Sequence, residues 1–139
     1  MNDGLTGDSR VTATGQAALT KESGIAVLSG GETTVQVSGP RIGPTRRGGR
    51  NLEILSQIVL EDAGLYALSA DSDGTDGSRD ATGAIVTPDS LHRALALGLE
   101  PLEFQRRNDA HGFFEALGDL VVTGPTGTNV GALRVILKP

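Results

Sequence analysis

The sequence contains no cysteine and no tryptophan, and aromatic residues make up only 3% of its 139 positions. Without cysteine there is no disulfide, no cysteine-ligated zinc site and no thiol nucleophile. With so few aromatics, the core must rest on Leu, Ile, Val and Ala. Positive charge is also scarce: 12 Lys and Arg stand against 17 Asp and Glu, a formal net charge of −5. That balance argues against a nucleic-acid partner held by a broad basic surface. No apolar run approaches the roughly 18 residues a membrane helix needs, and no apolar h-region follows the amino terminus. The expectation is a soluble, cytoplasmic protein with no membrane partner. The GxGxxG, phosphate-loop, GxSxG and HExxH motifs are missing as well, which weighs against a self-contained nucleotide fold or hydrolase.

What is abundant is glycine, 20 of 139 residues, about twice the usual share of roughly 7%. The glycines fall between apolar runs without a repeat. They read as many tight loops, common where backbone must approach a ligand. The length suits one domain. Residues 1–22 read as a flexible polar segment with a helix end near Gln16–Lys21, and residues 23–139 as the folded domain. Strands are predicted at Ile25–Leu28, Thr33–Val37, Leu65–Ala70, Ala84–Val86, Leu120–Val122 and Leu133–Leu137, with a turn at Ser29–Glu32. Leu52, Leu55, Ile58 and Val59 repeat with helical spacing within Arg50–Ala63. Further helices are predicted at Pro88–Leu97, at Leu102–Arg106 and around Phe113, Phe114 and Leu117, the last capped by Asn108 or Asp109. The alternation of strands and helices predicts an α/β class, with layered helices on a mixed, mostly parallel sheet in a single domain.

Four places carry candidate chemistry. Gly124-Pro125-Thr126-Gly127-Thr128-Asn129, between two apolar runs, offers backbone N–H groups and small hydroxyls to an anion, or simply turns a corner. Arg46-Arg47-Gly48-Gly49-Arg50-Asn51 brings cations to a helix start, where the dipole end is already positive. Either an anion completes that site or the loop is solvated, and composition leaves both open. Asp71, Asp73, Asp76 and Asp80 place four carboxylates in one loop. Oxygen ligands suit Mg²⁺ or Ca²⁺, but the spacing is not that of an EF-hand, and Asx turns are the favoured reading from spacing alone. Glu32 follows Ser29-Gly30-Gly31 as an orienting carboxylate or an exposed turn residue. His111, beside Asn108 and Asp109, is a general base or, more commonly for a lone histidine, structural.

These segments agree in order with one family. Leu28-Ser29-Gly30-Gly31-Glu32-Thr33-Thr34-Val35, Gly48-Gly49-Arg50-Asn51-Leu52-Glu53, Asp73-Gly74-Thr75-Asp76-Gly77, and Asn108-Asp109 through Phe113-Phe114 into Gly124–Val130 together resemble the carboxy-terminal (MOFRL) domain of the glycerate 2-kinase family, members of which also carry the name hydroxypyruvate reductase. The resemblance covers about residues 25–137. It implies a two-domain enzyme that uses ATP and Mg²⁺ to phosphorylate the 2-hydroxyl of D-glycerate, or a related small hydroxy acid, in a cleft between this domain and an amino-terminal Rossmann-like domain that brings a lysine. It implies catalytic roles for Arg50, Asp73 and Asp76, metal binding by Asp73 and Asp76, and substrate or phosphate contacts from Glu32, Gly49, Gly124, Thr126, Gly127, Thr128 and Asn129. Three positions depart from the family pattern: a longer Pro- and Arg-containing loop between Gly39 and Gly48, Asp71 where Gly is more usual, and Gly131-Ala132 in place of Asn-Asp. The amino-terminal domain and its lysine have no counterpart here. The expectation is therefore half an active site, silent without its partner domain, with a homodimer possible. The rival expectations are a non-catalytic module that binds an anion, a nucleotide or a partner, and a hydroxypyruvate reductase.

Overall fold

In the computed structural model, residues 23–31, 49–61, 64–76 and 81–139 are described. They form β1 (Ile25–Gly31), α1 (Arg50–Glu61), β2 (Tyr66–Asp71), β3 (Gly83–Val86), α2 (Ser90–Ala96), α3 (Pro101–Arg106), α4 (Ala110–Leu117), β4 (Leu120–Val121) and β5 (Ala132–Lys138). The Ser29-Gly30-Gly31 segment, expected to turn, instead continues β1 and pairs with Arg134, Leu133 and Ala132 of β5. The expected strand at Thr33–Val37, Glu32 and the amino-terminal segment lie outside the described residues.

The five strands form one sheet in the order β1-β5-β2-β3-β4. Every hydrogen-bonded pair in it is antiparallel, so the expectation of a mostly parallel sheet is wrong. Part of the reason lies in β5. Both β1 and β2 run antiparallel to β5 and hence parallel to each other, as a strand–helix–strand crossover through α1 demands. The last strand of the chain then inserts between them, and each parallel neighbour is replaced by an antiparallel one. No local pattern in the sequence announces that insertion.

Alternation along the strands separates two faces. Ala67, Ser69 and Asp71 of β2, Ala84 and Val86 of β3, and Ala132, Arg134 and Ile136 of β5 are all buried, on the face that carries the helices. The other face is open: Leu28, Tyr66, Ile85, Leu133 and Leu137 are 40 to 51% exposed. Helix α1 lies on β2 and β3 and has α3 and α4 against its outer side. It is therefore buried almost all round, including Leu52, Ile54, Leu55, Ile58 and Val59, the pattern expected of a central helix. Each such side chain contributes about 1.5–3 kcal/mol on burial. The β-branched residues among them cost only some tenths of a kcal/mol in helix propensity, so packing decides the conformation. Phe113 joins Phe104 and Phe114 edge-on, with ring centroids 5.7 and 5.1 Å away, and concentrates most of the chain's few aromatics in one cluster.

Candidate functional site

The strand register gathers the candidate residues at one end of the sheet. Gly31 of β1 and Asp71 of β2 both pair with Ala132, the first residue of β5, and Gly83 of β3 pairs with Val121 of β4. Strand β4 is at one edge of the sheet and β5 is near the other, so the chain must cross the ends of β3 and β2 to connect them. That crossing is the Gly124–Asn129 loop. It is neither a hairpin nor a simple corner.

The crossing loop docks on the loop that follows β2. The Thr126 amide donates to the Asp73 carbonyl at 3.3 Å, and the Thr126 hydroxyl donates to the Ser72 carbonyl. The Val130 amide donates to Ser72 Oγ at 2.8 Å, and the Ser72 amide donates to the Gly131 carbonyl at 3.0 Å. Gly74 makes this possible: at φ +97°, a Cβ there would stand 2.1 Å from the Gly124 carbonyl oxygen. The acidic loop and the Gly-rich loop, 50 residues apart in the chain, thus form one surface. At its tip Gly127, Thr128 and Asn129 are exposed. Asn129 Oδ1 accepts from the Gly131 amide at 3.1 Å, and the Thr128 amide reaches Thr126 Oγ1 at 3.4 Å. The amides of Gly127 and Asn129 make no hydrogen bond among the described residues.

Beneath that surface lies a charged layer. Arg50, the first residue of α1, donates from Nη2 to Asp71 Oδ1 at 2.6 Å. Arg134 enters from β5 and is 1% exposed, level with Ser29 on one side and Ser69 on the other. Burial lowers the pKa of Arg134 from its usual value, the charge of Arg50 adds to this, and Asp71 acts in the opposite direction. Glu53, one turn along α1, is also buried.

Asp76 does something the sequence did not suggest. Its Oδ1 accepts from the Asn51 amide and from Asn51 Nδ2, both at 3.1 Å, and its Oδ2 accepts from the Leu52 amide at 3.0 Å. It is the N-terminal cap of α1, delivered from a distant loop. Gly49 leaves room for it, since a Cβ there would fall 2.4 Å from Asp76 Oδ1. The helix start that reads as an anion site in the sequence is therefore occupied by this chain's own carboxylate. Burial pushes Asp76 up to about 6 and the charge of Asp71 adds to that, while the bonds from Leu52 and Asn51 pull the other way.

Asp73 is arranged differently. Its Oδ1 accepts from the Thr75 amide at 3.0 Å and from the Thr75 hydroxyl at 3.4 Å, an Asx turn, and its Oδ2 makes no hydrogen bond among the described residues. Among the described residues there is no group of three or more His, Cys, Asp or Glu placed to hold a metal ion. The structure thus brings Gly49, Arg50, Asp73, Asp76, Gly124 and Thr126 to one end of the sheet. Glu32, Arg46, Arg47 and Asp80 lie outside the described residues. His111 sits in α4 with Nδ1 3.4 Å from Glu115 Oε2. The sequence reading missed Asn51, Ser69 and Arg134. For Arg134 a signal existed: a charge among Ala132, Arg134 and Ile136, the inward-facing alternation of an otherwise apolar strand.

With this arrangement in hand, comparison with known proteins is decisive. The MOFRL family model matches residues 25–132. The chain belongs to the MOFRL family. It is 41% identical over 113 residues to the D-glycerate 2-kinase of Thermotoga maritima, a match covering 79% of this chain and 26% of that protein. It is 42% identical over 149 residues to an Agrobacterium vitis protein named for hydroxypyruvate reductase, covering 99% of this chain and 38% of that one. The crystal structure of glycerate kinase from Thermotoga maritima superposes with a TM-score of 0.88 at 32% identity, across 100% of this chain and 35% of that one. The MOFRL chain described here thus spans between about a fifth and two fifths of the length of its curated relatives. No described helix is long and apolar enough to cross a membrane.

Proposed function

We propose that this MOFRL domain supplies one wall of the active site of an ATP-dependent D-glycerate 2-kinase, the other wall coming from a further domain in the same or a separate chain. The observation that carries this reading is the docking of the 71–76 loop and the Gly124–Asn129 loop into one surface above the Arg50–Asp71 pair. Phosphoryl transfer asks for positioning and charge stabilisation more than covalent chemistry, and this end of the sheet offers both. Arg50, whose side chain is 25% exposed, holds a phosphoryl oxygen or the glycerate carboxylate. The outward amides of Gly127 and Asn129, with the hydroxyl of Thr128, face phosphate or substrate oxygens.

The two site aspartates take different parts. Both Asp76 oxygens are engaged by α1, so Asp73 is the carboxylate suited to a hard cation or to accepting the 2-hydroxyl proton. One carboxylate oxygen fits Mg²⁺, which commonly keeps several waters and takes its remaining ligands from substrate phosphates. Held by Asp73, such an ion would neutralise charge on the phosphoryl group. In the net reaction the bond between the γ-phosphorus and its bridging oxygen to ADP breaks, a bond from the glycerate 2-oxygen to that phosphorus forms, and the hydroxyl proton is released to solvent, by way of Asp73 where that carboxylate does not hold the cation.

Calorimetric titration of the 139-residue chain with D-glycerate, inorganic phosphate and ATP tests the wall. Weak binding of the anions, with turnover only after a partner domain is added, supports the kinase reading. Binding that never leads to turnover favours a non-catalytic module. NADH oxidation with hydroxypyruvate, the reaction after which the Agrobacterium vitis relative is named, is the reductase arm and is expected to be silent.

A further inference from the structure

Helices usually cap themselves: a Ser, Thr, Asp or Asn at the N-cap accepts the amides of the first turn. The residue at that position before α1 is Gly49, which has no side chain to do so. The cap comes instead from Asp76, 25 positions beyond Asn51. A local cap would have held the helix equally well without binding it to any other element. The long-range cap binds the start of α1 to the loop after β2, in the space that Gly49 leaves open.

A second contact extends the link into the sheet. Ser69 Oγ donates to Asn51 Oδ1 at 2.6 Å, which fixes the Asn51 amide so that its Nδ2 faces Asp76 Oδ1. Ser69, Asn51 and Asp76 are buried, at 1%, 0% and 0% exposure, so water does not compete for these bonds. Each neighbours the Arg50–Asp71 pair: Asn51 follows Arg50, Ser69 precedes Asp71 by two residues on the same face of β2, and Asp76 closes the loop that Asp71 opens.

We propose that Ser69, Asn51 and Asp76 act as one set of positioning residues that holds the first turn of α1, and through it Arg50, in register with Asp71 and the 71–76 loop. The importance of that register for ligand binding rests on the reading of Arg50 as an anion-binding group.

The test uses the isotope-labelled 139-residue chain with Ser69→Ala, Asp76→Asn and Ser69→Thr, and records amide exchange together with the Arg50 Nε–H signal by NMR. Ser69→Ala and Asp76→Asn are expected to speed exchange at the Asn51 and Leu52 amides by about tenfold, as loss of a cap does, and to broaden the Arg50 signal. Ser69→Thr, which keeps the hydroxyl, is expected to behave as wild type. Lower thermal stability with an unchanged Arg50 signal would show ordinary packing and overturn the proposal. If Asp76→Asn does not fold, Ser69→Ala decides alone. Titration with inorganic phosphate separates the two levels. Wild type that fails to bind it removes the anion role of Arg50 but leaves the exchange result standing, whereas binding that Ser69→Ala weakens about tenfold supports both.

Discussion

Arg50 Nη2 and Asp71 Oδ1 lie 2.6 Å apart, joining the first residue of α1 to the last residue of β2. Asp71 is 7% exposed, and its charge offsets the effect of the Arg50 charge on the buried Arg134. Replacing it with Asn removes the partner of Arg50 and the charge that offsets the effect of Arg50 on Arg134. Breaking a fully buried pair costs about 3–5 kcal/mol, and the partial exposure of Arg50 reduces this. Asp71→Asn is expected to lower unfolding free energy by about 1–3 kcal/mol in urea titrations.

Asp76 gives stability a pH dependence of unusual sign. Its folded pKa, near 6, stands above the ordinary value of 3.8. Between those two pH values the folded protein keeps a proton that the unfolded chain has released. Stability from this group is therefore full below pH 3.8, falls as pH rises toward 6, and is flat above it. Other carboxylates titrate in the same range, so the observable is a difference. Wild type minus Asp76→Asn, measured as urea midpoints across that window, should decline with rising pH. A rising difference would contradict the burial argument.

Gly74→Ala sets a methyl 2.1 Å from the Gly124 carbonyl oxygen at a backbone φ of +97°. Neither neighbour is a flexible side chain, so one loop must move off the other. A loss of about 2–4 kcal/mol is expected from the combined strain and overlap. The Thr126 and Val130 amides, which donate to Asp73 and Ser72, should lose exchange protection together.

Asp109→Ala serves as a control within the same fold. Asp109 caps α4, accepting from the Gly112 amide at 3.1 Å, and its removal should cost about 1 kcal/mol. Thermal melting should register that loss while phosphate binding stays unchanged.

What could be read in the sequence, and what could not, divides by range. The period of Leu52, Leu55, Ile58 and Val59 placed α1 within two residues of its observed end, and the cap of α4 was narrowed to Asn108 or Asp109 because capping is local. The sheet was not legible. Strands and helices were expected to alternate, whereas β2 and β3, and β4 and β5, are consecutive elements, and the insertion of β5 between β1 and β2 is decided by pairing between distant segments, Ile25 with Lys138 and Tyr66 with Leu137. The same holds within the site. Spacing alone favoured an Asx turn for Asp76, and the resemblance implied a catalytic and metal-binding role; only the fold reveals that it is buried at the start of α1. Gly49 and Gly74 were visible as glycines, but the carboxylate and the carbonyl that require them were not. The family segments that carry Gly49, Asp73 and Gly124 fall at one end of the sheet because the strand register brings them there.

The proposed function makes this domain one half of a phosphoryl-transfer site. The most direct measurement is ADP release with D-glycerate, ATP and Mg²⁺, for the 139-residue chain alone and after addition of the separately expressed remainder of the Thermotoga maritima glycerate kinase. No turnover is expected from either part alone, and turnover is expected from the mixture, abolished by Arg50→Ala. Robust turnover by the 139-residue chain on its own would contradict it.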